Sequence, residues 1–180
     1  MALTVLLGGA RSGKSSAAQS LAEMLDRPVT YLATATAGDD EMADRIDRHR
    51  RERPAEWTTV EEPLLLAVAL ATIDDGDTVI IDCLTLWLSN LMATGATEPG
   101  ILAAASAAAE SAADRPGRTI AVTNEVGLGL VPPNPLGRQF RDLAGRINRL
   151  WVERAGEKGF VVAGLILPLL ELSDWRRTDQ

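Results

Sequence analysis

The 180-residue chain contains one cysteine, Cys83, so it can close no disulfide within itself. It also contains one histidine, His49, so any step that needs an imidazole falls on a single position. Cationic excess is missing. Eighteen Lys and Arg stand against 25 Asp and Glu, a net charge of −7 that argues against wrapping a nucleic acid backbone. A long hydrophobic run is missing too. The longest late one, Phe160 to Leu170, is too short to span a bilayer and is interrupted by Pro168, so no stable membrane insertion is expected. No basic segment leads an apolar one at the N-terminus, which predicts no signal peptide and, with the lone cysteine, a cytoplasmic setting. There is no internal repeat and no linker, so residues 1–180 read as one domain. At 46% hydrophobic residues the chain has enough apolar side chains for a sizeable core.

Against these absences stands one dense signal: Gly8, Gly9, Ala10, Arg11, Ser12, Gly13, Lys14 and Ser15. The spacing is that of a P-loop, glycine, four residues, then Gly-Lys-Ser. An apolar run, Leu3 to Leu7, precedes it, and an alanine-rich segment with helical spacing, Ser16 to Leu25, follows. A strand before and a helix after are the context the motif requires. Glycines let several backbone N–H groups converge on one anion, and the helix dipole adds positive potential there. Lys14 then reaches the outer phosphates, and the Ser15 hydroxyl is a ligand for Mg²⁺.

Further along, strands are expected at Val29–Thr34, Trp57–Val60, Thr78–Asp82, Thr119–Thr123 and Phe160–Leu167. Helices are expected at Asp39–Arg53, Pro63–Ile73 with proline in its first turn, Leu84–Met92, Ile101–Ala113 and Leu136–Glu157. Strands alternating with helices predict an α/β fold: a single P-loop NTPase domain of RecA-like type, its mostly parallel sheet covered by helices on both faces. Such sheets bind ligands at the carboxyl ends of their strands. Gly8 to Ser15, Thr34, Asp82 and Asn124 all fall at expected strand ends and should converge on one site.

A P-loop enzyme needs an acid beside its Mg²⁺, usually at the end of an apolar strand, and Asp82 after Val79-Ile80-Ile81 has that form. The competing reading is an N-cap for the next helix, and one carboxylate is able to serve both. His49 sits in Arg45-Ile46-Asp47-Arg48-His49-Arg50-Arg51-Glu52-Arg53, five arginines within an acidic chain. Such a cluster suits phosphate oxygens, and cations beside an imidazole leave a ring nitrogen with its lone pair. From composition alone, a solvated charged face carrying a surface histidine is the better reading. The segment from Asn124 to Pro135 is longer than most strand-to-helix connections, and its glycines and prolines favour a shaped, functional loop. Arg138, Arg141 and Asp142 after it suit either phosphate binding or an intersubunit ion-pair set.

Taken in order, the segments form a series: the P-loop; Asp40-Glu41-Met42 and Arg45-Ile46; His49-Arg50 and Arg53-Pro54; Trp57-Thr58-Thr59 and Glu61; Asp82 to Leu91; Thr123-Asn124-Glu125-Val126-Gly127 with Val131-Pro132; then Arg138, Phe140-Arg141-Asp142, Gly145 and Asn148. This series closely resembles the bifunctional adenosylcobinamide kinase / adenosylcobinamide-phosphate guanylyltransferase family of cobalamin biosynthesis, from Leu3 to about Gly164. The His49 segment and the Asn124 to Gly127 loop carry most of the specificity, since the P-loop alone is shared with many enzymes. The resemblance implies two reactions: a nucleoside triphosphate, ATP or GTP, phosphorylates the aminopropanol hydroxyl of adenosylcobinamide, and GTP then gives GMP to that phosphate. It implies that His49 carries GMP between the half-reactions. It further implies nucleotide contacts from Ala33, Thr34, Ala35, Arg50, Arg51, Glu52, Arg53, Glu61 and Asp82, and a homo-oligomer, a trimer. One departure concerns the end of the chain, where family members often finish with basic residues and this chain has an acidic, tryptophan-bearing tail, Glu171 to Gln180, to which no function is assigned.

Three other readings compete: a small-metabolite P-loop kinase with His49 a bystander, a GTP-binding regulatory module, and an adaptor with a vestigial loop. The second usually reads guanine through an Asn-Lys-x-Asp stretch, where this chain has Asn124-Glu125-Val126-Gly127. Intact Lys14, Ser15 and Asp82 argue against the third.

Overall fold

Period-two alternation along the apolar strands sends side chains to opposite faces of one sheet. The structure, a computed structural model, describes residues 3–38 and 40–171, apart from the side chains of Glu41 and Arg45. In chain order the elements are β1 (Leu3–Gly8), α1 (Lys14–Glu23), β2 (Val29–Ala33), α2 (Asp40–Arg51), β3 (Thr58–Glu61), α3 (Leu66–Thr72), β4 (Thr78–Asp82), α4 (Leu84–Ala93), α5 (Glu98–Asp114), β5 (Thr119–Asn124), α6 (Pro135–Arg154), β6 (Glu157–Val162) and β7 (Leu165–Pro168). The strands form one sheet in the order β3-β2-β4-β5-β1-β6-β7. All neighbours are parallel except β6 and β7.

Leu3, Val5 and Leu7 of β1, Val79 and Ile81 of β4 and Ala121 of β5 point to one face, where they pack under residues of α3, α4, α5 and α6. Leu6, Ile80, Ile120 and Val122 point to the other and meet Ala18 and Ala22 of α1. Ala105, Ala108, Ala109 and Ala112 of α5 are completely buried, and their small side chains let that helix approach closely. Trp87 and Trp151 are the largest buried side chains on the same face, each burial contributing about 1.5–3 kcal/mol or more. Trp87 also donates a 2.9 Å hydrogen bond from Nε1 to the Leu64 carbonyl.

Three expectations change. The expected last strand is two strands: β6 begins at Glu157, and the chain reverses through Ala163 (φ 50°) and Gly164 (φ 80°) into antiparallel β7. A two-residue turn with both central residues left-handed fits the twist of a hairpin, and the unbroken apolar run hid it from pattern reading. Pro63 does not open a helix. The Glu62 carboxylate instead accepts hydrogen bonds from the Leu64 and Leu65 N–H groups, and α3 starts at Leu66. Helix α5 starts earlier than expected, at Glu98, because Thr97 caps it by accepting from Gly100 N–H and Pro99 stands in its first turn. Asp39, a proposed cap of α2, and residues 172–180 lie outside the described residues.

Candidate active site

Parallel pairing brings the ends of β1, β2, β3 and β4 to one edge of the sheet. At the end of β1, Gly8 is followed by the loop that enters α1 at Lys14. Gly13 has φ 97°, a left-handed conformation that a side chain disfavours, and a Cβ there would lie 3.1 Å from the Gly164 Cα. The hairpin turn supports the loop from behind, Gly164 N–H donating to Ser12 O at 2.9 Å. Gly9, Ala10 and Arg11 are exposed. No side chain caps α1, so its first amide groups stay available to an anion. Lys14 is buried, with Nζ donating to Gly9 O at 2.5 Å and to Ser12 Oγ at 3.4 Å.

Beside this loop opens a pocket whose polar lining comes from Ser15, His49, Arg50, Arg53, Glu61 and Asp82. Its apolar lining comes from Tyr31, Ala33, Ala35, Met42, Ile46, Cys83 and Leu86. The fold thus brings the P-loop serine, the acid that ends β4 and the lone histidine of α2 to one cavity. His49 Nδ1 is buried with no hydrogen-bond partner and lies 3.8 Å from Glu52 Oε2. Arg50 forms an ion pair with Glu61 across the α2–β3 connection. Arg51 and Glu52 do not line the pocket. Arg51 Nε donates back to the Asp47 carbonyl, and Glu52 stands behind the imidazole. Thr34 is buried, its hydroxyl donating to Cys83 O and accepting from Cys83 N–H, both at 2.8 Å. It ties the end of β2 to the residue after Asp82, across a cis Asp82–Cys83 peptide bond.

Sequence reading passed over Tyr31. Its hydroxyl donates to Asp82 Oδ2 at 2.5 Å, and the Arg53 guanidinium lies 3.5 Å from its ring centroid. Burial, and then the charge of Asp82, hold the phenol far above its ordinary range, so it remains a donor. The available signal was a lone tyrosine two residues before Ala33 in a buried strand, which puts both on the pocket face and leaves a polar tip needing a partner. The Cys83 thiol is pushed up to about 12, first by burial and then by Asp82, and is inert.

The family model for cobinamide kinase / cobinamide phosphate guanyltransferase matches residues 4–169. The chain belongs to this family. It is 47% identical over 167 residues to the bifunctional adenosylcobalamin biosynthesis protein CobP of Pseudomonas aeruginosa, an alignment covering 92% of this chain and 95% of that protein. It is 37% identical over 176 residues to the CobU protein of Escherichia coli K12, covering 91% and 97%. The chain is therefore a bifunctional transferase of adenosylcobalamin biosynthesis, with nucleotides among its substrates. In fold it is similar to an ATPase from the type III secretion system of pathogenic bacteria (TM-score 0.50, 10% identity), covering 98% of this chain and 61% of that one. The assembled ATPase EscN of enteropathogenic E. coli is comparable, at TM-score 0.50 and 12% identity over 89% of this chain and 43% of that one. These likenesses concern the P-loop ATPase fold alone.

Proposed function

We propose that the pocket beside the P-loop carries out guanylyl transfer through a covalent histidine, on the same triphosphate cradle that serves the kinase reaction. In the kinase half a nucleoside triphosphate, ATP or GTP, phosphorylates the hydroxyl of adenosylcobinamide. In the other half a ring nitrogen of His49 attacks the α-phosphorus of GTP. The nitrogen–phosphorus bond forms as the bond to the β-phosphate oxygen breaks, and pyrophosphate leaves with that electron pair. A phosphate oxygen of adenosylcobinamide phosphate then attacks the same phosphorus, and the imidazole is released. A proton held on Nδ1, the nitrogen nearer Glu52, leaves Nε2 with the lone pair. Lys14, the P-loop amides and Arg50 and Arg53 face the charge that grows on the departing phosphates.

The donors on hand suit Mg²⁺. Ser15 and Asp82 supply hard oxygens on one cavity, few enough to leave positions for phosphate and water, as this ion prefers. Among the described residues there is no cluster of three or more acids, His or Cys that would serve a fully protein-ligated metal. When bound, Mg²⁺ neutralises phosphate oxygens. The same reading includes binding by Ala33, Ala35 and Glu61 along the pocket wall, a cytoplasmic location, and a homotrimer, which sizing in solution against the 19.2 kDa chain tests.

The observation that carries the covalent mechanism is the single histidine of the chain, lining the same pocket as Ser15 and Asp82 with Nδ1 buried and unpartnered. The experiment is incubation with Mg²⁺ and α-labelled GTP. Wild type should hold label that mild acid releases as GMP and alkali does not, the behaviour of a phosphoramidate. His49→Ala should take up none and lose guanylyl transfer while keeping part of the kinase activity. Unlabelled wild type under turnover conditions would leave a kinase with a bystander histidine.

A further inference from the structure

The long connection after β5 has no part in the chemistry described so far, yet it begins beside the P-loop. Strand β5 lies between β1 and β4, and its last residue, Asn124, is level with Gly8. Glu125 N–H donates to Gly8 O at 3.0 Å, so this acid is pinned to the first glycine of the loop. Asp82 is level with Val122 on the other side of β5. Glu125 therefore follows the one strand that separates the phosphate loop from the strand-end acid.

Its carboxylate is held by its own loop and by α6. Gly127 N–H donates to Oε1 at 3.0 Å, and Asn148 Nδ2 donates to Oε2 at 3.3 Å and to the Asn124 carbonyl at 3.1 Å. Asn148 is itself 4% exposed and locked by a 2.7 Å bond from the Thr123 hydroxyl to its Oδ1. One neutral donor per oxygen leaves lone pairs on each. The two acids that line the pocket are engaged, Asp82 with Tyr31 and Glu61 with Arg50. Among the described residues no lysine or arginine pairs with Glu125.

We infer that Glu125 is the general base of the kinase reaction, accepting the proton of the cobinamide hydroxyl. The inference rests on the two-reaction reading above. The hydroxyl oxygen bonds the γ-phosphorus as the bond from that phosphorus to the β,γ-bridging oxygen breaks. The nucleoside diphosphate leaves with that electron pair, and the hydroxyl proton passes to the carboxylate of Glu125. The guanylyl acceptor is a phosphate, already ionised at neutral pH, and needs no base. Glu125 thus serves one half of a bifunctional enzyme.

The test measures both half-reactions separately, the second with preformed adenosylcobinamide phosphate. Glu125→Gln should lower kcat of the kinase by about 100-fold or more, with KM for the triphosphate little changed, while guanylyl transfer stays within about 5-fold. Glu125→Ala, which opens space at the carboxylate, should recover at least about 10-fold in kinase rate on addition of formate, with no gain in guanylyl transfer. Equal loss of both activities in Glu125→Gln with no formate rescue of Glu125→Ala would make Glu125 a loop anchor and overturn the inference. Retention of kinase activity in Glu125→Gln would overturn it as well. Absence of either activity in wild type would instead remove the two-reaction reading beneath it.

Discussion

The hydroxyl of Tyr31 donates a 2.5 Å hydrogen bond to Asp82 from a ring that is 1% exposed. The carboxylate proposed to hold the metal is therefore oriented by a neighbouring strand as well as by its own. A hydrogen bond to a charged group is worth about 1.5–3 kcal/mol, so Tyr31→Phe should slow both reactions about 10-fold. Asp82→Asn should cost more and raise the Mg²⁺ requirement. Steady-state kinetics on the two single variants and the double variant check the coupling. Fully additive losses would mean that the two side chains act separately.

Alkaline behaviour follows from the same burial. Tyr31 and Cys83 both hold their protons in the folded state beyond their ordinary values of 10.0 and 9.0. The unfolded chain releases those protons first, so the stability they contribute is complete below about pH 9 and is lost as pH rises above it. Denaturant midpoints measured from neutral to alkaline pH should fall above pH 9. Since each is the only residue of its type, phenolate absorbance and thiol alkylation should both appear together with global unfolding. Rapid alkylation of Cys83 in folded protein at neutral pH would contradict its placement.

Lys14→Ala should remove both activities, each by at least about 100-fold, because one cradle holds the triphosphate in both reactions. The side chain bonds to Gly9 O and Ser12 Oγ of its own loop, so Tm of the variant should be measured beside its activity to separate loss of the cradle from loss of fold. Separate assays of the two half-reactions decide the matter. Survival of either one near the wild-type rate would mean two nucleotide sites.

Two glycines of the loop should respond differently to alanine. At Gly13 a methyl group meets both the left-handed φ of 97° and the Gly164 backbone, which should cost about 1–2 kcal/mol and lower Tm by about 2–8 °C. At Gly9 a Cβ meets nothing within 4 Å, so Tm should hold while phosphate binding weakens by obstruction. Calorimetry with and without nucleotide separates the two effects.

The P-loop, the strand-end acid, the alternation of strands and helices and the family itself were legible in the sequence. Each is a local pattern: a loop whose glycines, lysine and serine meet one anion, or a run whose periodicity states which face is buried. What tertiary structure decided is non-local. The period of the run from Phe160 to Leu167 does not state that the chain turns back at Ala163 and Gly164, since an edge strand that keeps apolar side chains looks like its buried neighbour. Nor does His49, read in its arginine-rich helix, state that it faces a pocket shared with Ser15 and Asp82, because solvated and pocket-facing histidines have the same local sequence. The bond from Tyr31 to Asp82 spans 51 residues, and the contact between Glu125 and Gly8 spans most of the chain. Both exist only because β2 pairs with β4 and β5 lies beside β1, an ordering set by the packing of whole elements rather than by any single segment.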